Sequence, residues 1–243
     1  MQSRIPARTA TLTALSLLAT LGLTPCSAAT ILFDVGFNPD SSGYITGPDS
    51  SGRHWNSVKT WAVTPSGGSS AFPSNAVDTQ GNATGIAWVT TDAFVFYTTA
   101  GDTTNTLYPD AATMDALQVT SGDVGEVRLE GFAPGSEYNF TFYGSTSSTN
   151  REAIYTILDP NGDGSVLDAT SVNLITTGNV DNTVSINNVI ANASGEVLFR
   201  VGSPVGKGSG ELNVLEIRPV PEPAAAMLVG AGSLLMLRRR RAG

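Results

Sequence analysis

Three sets of side chains in this 243-residue sequence have types and spacings that could do chemistry. The first is Trp55-Asn56, with Trp61 and Trp88 as further rings, and the polar groups of Asn150, Arg151 and Asn213. A flat aromatic platform beside amide and guanidinium donors is what a sugar-binding surface requires. Trp88 alternates with Ile86, which assigns it to a core face, whereas Trp55 follows a Gly-, Ser- and Pro-containing loop, which leaves an exposed ring and a buried one both open. The second set is Asp159-Pro160-Asn161-Gly162-Asp163-Gly164-Ser165. Oxygen side chains at alternate positions followed by glycine match the front half of a calcium loop. Asp168 falls at position ten, and Thr170 stands at position twelve where that loop needs a bidentate Glu. Two readings therefore stay open here: a hairpin turn, and a structural calcium held by Asp159, Asn161, Asp163 and Asp168. No other cofactor is expected. The third set is the acids and the single histidine, His54. One histidine cannot build a multi-histidine zinc site, and a serine triad would have to be built on it. No nucleophile elbow or phosphate-cradling glycine loop occurs at a strand-to-helix junction. The chain is expected to be non-catalytic, and a glycan-cleaving enzyme with two carboxylates about 5–10 Å apart is the remote alternative.

The elements that must position these groups read as strands. Val127 and Leu129 alternate with Arg128 and Glu130; Tyr138, Phe140 and Phe142 with Asn139 and Thr141; Val197, Phe199 and Val201 with Arg200. Period-two alternation buries one face of a strand. Further strands are expected over 31–35, 58–63, 85–90, 94–98, 116–120, 153–158, 183–189 and 212–217, and a loop over 37–52. Turn residues separate them, and no stretch has convincing helical periodicity. The expected fold is all-β: a two-sheet antiparallel β-sandwich of jelly-roll type.

Between residues 30 and 218 there are 20 Asp and Glu against 7 Lys and Arg, a net charge of 20 − 7 = 13 negative. Such a surface repels phosphate backbones and anionic lipid, so no nucleic-acid partner is expected. About 190 residues suffice for one domain with its own core.

Both ends carry export features. Arg4 and Arg8 precede an apolar stretch from Ala10 to Leu23, and Ser27-Ala28-Ala29 offers small residues to signal peptidase. Residues 1–29 are read as a signal peptide cut after Ala28 or Ala29. Cys26 is the only cysteine, and Pro25 before it argues against lipidation. The mature chain would then hold no thiol and no disulfide. Residues 219–243 begin with Pro221-Glu222-Pro223, continue through an apolar run from Ala224 to Leu237, and end with Arg238, Arg239, Arg240 and Arg241. Fourteen residues of helix reach about 21 Å, short of a ~30 Å hydrocarbon core. The arginines can snorkel and stay on the cytoplasmic side, so a short hydrophobic helix would make a transient membrane stop rather than a lasting anchor.

This order of Pro-Glu-Pro, apolar run and basic cluster resembles the PEP-CTERM sorting signal of Gram-negative bacteria. The resemblance covers the last 23 residues. It implies processing by an exosortase, a membrane transpeptidase-like protease, in bacteria that usually also make exopolysaccharide. A second resemblance spans most of residues 30–218, through Tyr108-Pro109, Asp115-Ala116-Leu117, the run from Tyr138 to Ser145, Asn150-Arg151, Tyr155-Thr156, Gly195-Glu196-Val197 and the run from Leu212 to Ile217. It is similar to secreted bacterial jelly-roll modules related to galactose-binding-like domains, which implies that fold and, by analogy only, carbohydrate binding. The expected function is an exported, non-catalytic surface or extracellular-matrix protein, held at the cell surface or in the matrix and associated with exopolysaccharide or another glycan. The alternative is a carbohydrate-binding module with a defined sugar site.

Overall fold

The computed structural model describes residues 30–36, 47–59, 73–92, 94, 96–98, 101, 104–165 and 167–221. Within them the chain forms β1 (Ile31–Gly36), β2 (Asn56–Lys59), β3 (Ala87–Asp92), β4 (Phe96–Thr98), α1 (Asp110–Thr113), β5 (Ala116–Thr120), β6 (Val124–Glu130) and β7 (Glu137–Tyr143). It continues with β8 (Glu152–Ile157), β9 (Thr170–Ile175), β10 (Val184–Ile190), β11 (Glu196–Gly202), β12 (Ser209–Leu212) and β13 (Val214–Pro219). Two five-stranded sheets, ordered β10-β7-β13-β1-β2 and β3-β6-β11-β8-β9, face each other as a sandwich, and a three-stranded sheet β12-β5-β4 flanks them.

The alternation read from the sequence sets which side chains enter the space between the sheets. Tyr138, Phe140 and Phe142 of β7, Val127 and Leu129 of β6, and Val197, Phe199 and Val201 of β11 are all buried. The sheets meet ring to ring. Phe142 stacks on Tyr155 with centroids 4.6 Å apart and planes 6° apart, and Trp88 sits 5.3 Å from Phe33 and 5.5 Å from Phe199. Trp88 is thus a core residue, as its alternation with Ile86 required.

Three features depart from the simple pattern. All six residues of β1 are buried, because Ile31, Phe33 and Val35 enter the sandwich while Leu32 faces a second, smaller core on the outer side. That second core joins Leu32, Trp55, Tyr108, Ala112, Tyr143 and Val214 beneath α1 and the segment leading into it. β1 also pairs in parallel with β2, from Phe33↔Asn56 to Gly36↔Lys59, although every other pairing between these named strands is antiparallel. Finally, the stretch read as one strand over 212–217 is divided at Asn213, which leaves β12 in the flanking sheet and β13 in the first.

β1 and β13 are antiparallel neighbours, with Ile31 opposite Ile217. The start of the first strand and the end of the last therefore lie at one end of the sandwich. Val220 makes the final ladder bond, its N–H donating to Glu137 O at 2.8 Å, and Pro221 follows.

Candidate ligand-contacting site

The richest grouping of rings and charges lies on the outer side of the first sheet. Glu216 and Arg218 alternate with Leu215 and Ile217 along β13; the latter two are in the core, so the charged pair faces outward. Arg218 donates to Glu216, and the Tyr108 hydroxyl donates to the other Glu216 oxygen at 3.3 Å. Tyr108 is held by edge contacts to Trp55 at 6.0 Å and Tyr143 at 5.5 Å, and by its N–H donating to Asn105 Oδ1 at 2.8 Å. On the far side of Trp55, Arg53 lies over the indole at 5.6 Å from its centroid. The turn at 49–53 fixes both: Asp49 accepts from Trp55 Nε1 at 3.0 Å, from Arg53 Nε at 2.8 Å, and from the backbone of Ser51 and Arg53. Burial works to raise the Asp49 carboxyl, but these bonds, led by Trp55, outweigh it and hold the group below its usual value. Burial, reinforced by the Glu216 charge, pushes the Tyr108 hydroxyl far up, so it stays a neutral donor. Arg53 and Arg218 act electrostatically on Tyr108 from either side. The result is two guanidinium groups and a carboxylate around an aromatic pair. That arrangement is able to grip hydroxyls or a carboxylate of a polar ligand.

The residues expected from sequence fall in different places. Trp55 belongs to this cluster, yet only 7% of it is exposed, so its ring is packed under Arg53 and against Tyr108 rather than presented as an open platform. Asn56 is a structural clamp. Its amide donates to Leu32 O at 3.0 Å and Val77 O at 2.8 Å and accepts from Val77 N at 2.8 Å, tying the 73–86 segment to β1. Asn213 has no exposed surface, accepts from Ser145 N at 2.7 Å, and donates to Thr113 O at 2.8 Å and Asp115 O at 2.7 Å. Its amide joins three segments at the break between β12 and β13 and is out of a ligand's reach. Trp61 lies outside the described residues.

Asn150 and Arg151 do come together, on the loop between β7 and β8. Asn150 adopts a left-handed φ of 57° and donates to Gly206 O at 3.1 Å. Arg151 donates to Ser209 Oγ while lying so close to Gly208 that a Cβ there would be 2.5 Å from its Nη1. Behind them is a buried polar chain centred on Glu211, which has no exposed surface. Its carboxylate accepts from Gln118 Nε2 at 3.0 Å, Ser209 Oγ and Thr176 Oγ1, and its carbonyl accepts from Tyr155. Arg151 reaches this carboxylate through Ser209, which makes it a structural counter-charge more than a free grip.

A second buried acid is less well served. Asp115 is 1% exposed, and its Oδ1 has no hydrogen-bond partner. It sits against Gly36, where a Cβ would come within 2.4 Å of the carboxyl, so only glycine fits at the end of β1. Burial pushes the Asp115 carboxyl up to about 7, and the bond from its own backbone does not offset that.

In the 159–168 segment, Asp159 accepts from the backbone of Asp163 at 3.3 Å and Gly164 at 2.8 Å, and Asp163 accepts from Ser165 N at 2.7 Å. These are the self-capping bonds of an Asx-type turn. Asn161, Asp163 and Asp168 are exposed. Among the described residues no three His, Cys, Asp or Glu side chains are grouped to hold a metal ion. In the tail, Pro221 is described, whereas Glu222, Pro223 and Arg238 to Arg241 lie outside the described residues. Among the described residues no helix is long and apolar enough to cross a membrane.

Asp49, Arg53 and Arg218 were not singled out from the sequence, and Tyr108 and Glu216 entered only within the runs that carry the fold resemblance. Alternation along 214–218 was the available signal for Glu216 and Arg218. For the others none existed: Tyr108 meets Trp55 and Glu216 across more than 50 positions, and Asp49 and Arg53 sit in a short turn with no periodicity to read.

No protein-family model matches the chain, and no curated protein does. Among solved structures, the chain is similar to the carbohydrate-binding module TmCBM61 in complex with beta-1,4-galactotriose, at 15% identity and a TM-score of 0.33, over 56% of this chain and 88% of that one. It is also similar to Bacteroides uniformis beta-glucuronidase 2, at 12% identity and a TM-score of 0.41, over 79% of this chain and 18% of the enzyme. A third, the Arthrobacter globiformis T6 isomalto-dextranase complexed with panose, matches at 18% identity and a TM-score of 0.31, over 58% of this chain and 24% of the enzyme. The chain thus spans a quarter or less of either enzyme's length.

Proposed function

We propose that this chain is an exported, non-catalytic surface or matrix protein, delivered through a C-terminal sorting signal and resident beside exopolysaccharide. The observation that carries the reading is the position of the last ladder bond. Val220 closes the sheet on Glu137, and Pro221 of the Pro-Glu-Pro motif comes next in the chain. A protease acting at or after the motif would cut extended chain without breaking a strand, because proline there neither extends the ladder nor donates to it. The start of β1 lies at the same end of the sandwich as the end of β13. Before processing, both membrane-directed segments would leave from that one end, and the opposite end would face away from the membrane. Signal peptidase would act at one segment and an exosortase at the other.

The test is a stop codon after Val220 in the producing bacterium. The truncated chain is expected to fold and cross the inner membrane, but to lose its place at the surface and accumulate in soluble periplasmic or medium fractions. Surface display equal to the full chain's would refute the sorting role.

A second reading, a glycan-binding module, is favoured by the Arg53, Trp55, Tyr108, Glu216 and Arg218 grouping on the outer side of the first sheet. Purified protein would be screened against a glycan array with and without calcium, then repeated with Arg53→Ala and Arg218→Ala. Saturable binding that both substitutions weaken supports the module. A calcium requirement would bring in the 159–168 turn. Absence of binding under all conditions leaves the matrix role alone.

A further inference from the structure

We propose that the peptide bond between Asp159 and Pro160 cleaves itself in the folded protein, with the Asp159 carboxylate as nucleophile. The residues on either side of Asp159 are tied to opposite sheets. Leu158 N–H donates to Leu198 O of β11 at 2.9 Å, and Pro160 O accepts from Ile190 N of β10 at 2.8 Å. β11 belongs to the second sheet and β10 to the first. Both anchoring residues are buried, so Asp159 alone carries the chain across from one sheet to the other.

Its backbone shows the effect. Among the described residues, Asn150 and Asn188 have φ of 57° and 58°, in the left-handed well that asparagine tolerates. Asp159 has a φ of 136°, far outside that well and in a range ordinarily left to glycine. The proline that follows restricts the same residue further. Such a conformation persists only where its surroundings over-determine it, and here the two sheet bonds do so. Breaking the bond between Asp159 and Pro160 releases the strain.

The groups the reaction needs lie in Asp159 and in the turn that follows it. An Asp carboxylate can attack a carbonyl carbon covalently; here the carbonyl is its own, so the intermediate is a cyclic anhydride. Gly164 N–H holds Oδ2 at 2.8 Å, whereas Oδ1 keeps only a long bond of 3.3 Å from Asp163 N–H, which makes Oδ1 the attacking oxygen. Gly162 N–H donates to Asp159 O at 3.2 Å, on the atom where negative charge develops. As the bond from Oδ1 to the carbonyl carbon forms, the C–N bond breaks and its electron pair goes to the proline nitrogen. That nitrogen carries no hydrogen in the peptide, and it leaves as a secondary amine with a proton taken from water. The hydroxide left behind opens the anhydride, giving Asp159 a side-chain and a terminal carboxyl group. Water is the only co-reactant.

The cut falls between β8 and β9 and divides no strand. The first sheet takes β1, β2 and β7 from upstream of it and β10 and β13 from downstream; the second takes β3, β6 and β8 from upstream and β9 and β11 from downstream. The two fragments are therefore interleaved in both sheets and stay together until the sandwich unfolds.

The proposal is independent of the sorting tail and of glycan binding. The test follows the purified secreted protein at neutral pH, with protease inhibitors present, over several weeks, by mass after denaturation and by native size-exclusion chromatography. Freshly released protein is expected to be whole. Fragments ending at Asp159 and beginning at Pro160 are expected to accumulate and to elute together as one folded particle. The same chain held unfolded in urea is expected to be cut at least roughly tenfold more slowly, because unfolding removes the strain. Asp159→Gly, which accepts the φ and lacks the carboxylate, and Pro160→Ala, which removes the tertiary amide, are both expected to stay whole. Protein that remains uncut, a cut at another bond, cutting as fast in urea, or undiminished cutting in either variant would each overturn the proposal.

Discussion

At the scale of single residues, the sequence separated the core well and the contact residues poorly. Trp88 went to the core because a two-residue period with Ile86 is local information, and the structure buries it to 2% exposure. Trp55 gives no such local signal. Its burial depends on Tyr108, more than 50 positions away, and on Arg53 folding back over its ring. Asn213 likewise reads as a polar ligand until its three bonds to Ser145, Thr113 and Asp115 are seen. Asp115 gives a prediction at this scale. Its carboxyl, at about 7 in the folded protein, lies above the ordinary aspartate value, so the folded state holds a proton that the unfolded chain releases. That contribution is fully present below about pH 4 and is lost as pH rises through about 7. Asp115→Asn should flatten the fall in unfolding free energy between those limits and leave the variant at least as stable as wild type at pH 8. Denaturant titrations at several pH values check it, and an unchanged slope would show that Asp115 is not the group responsible. Arg218→Ala should leave stability within about 1 kcal/mol, because its pair with Glu216 is 64% exposed on the arginine side. Any glycan affinity lost in that variant would therefore report contact rather than unfolding.

At the scale of elements, strands with one clean buried face were legible, and those whose pattern serves another neighbour were not. β6, β7 and β11 alternate in sequence as they do in burial. β9 went unread because only Leu174 along it is buried; an edge strand has little inward face to show. The division of 212–217 at Asn213 was invisible for a different reason, since the residue that breaks the strand is held by bonds from distant segments. β1 looked like an ordinary strand. Its burial on both faces appears only when the second core of Leu32, Trp55, Tyr108, Ala112, Tyr143 and Val214 is assembled over it. Packing at this scale is tested by Phe140→Ala on β7. Phe140 has no exposed surface and touches Phe132 and Phe142, at 6.3 Å and 6.5 Å between centroids. Removing its ring should cost about 3–5 kcal/mol through lost burial and the cavity left behind. A loss below about 1 kcal/mol in chemical denaturation would mean that the inner face of the first sheet is misassigned.

At the scale of the whole molecule, composition gave an acidic all-β domain, and the two ends carry the proposal of an export signal before it and a sorting tail after it. The sandwich agrees with the all-β expectation, and its first and last strands are neighbours, which composition could not show. The sheet closes at Val220, one residue before Pro-Glu-Pro, so under the proposed sorting the domain would keep its fold while its tail is removed. The most direct test of that account is the intact mass of the protein released from the surface of the producing cell. The predicted result is a chain that begins at Ala29 or Thr30 and ends at or shortly after the Pro221-Glu222-Pro223 motif, without Arg238 to Arg241. A surface protein whose mass still includes the apolar run and the four arginines would contradict it.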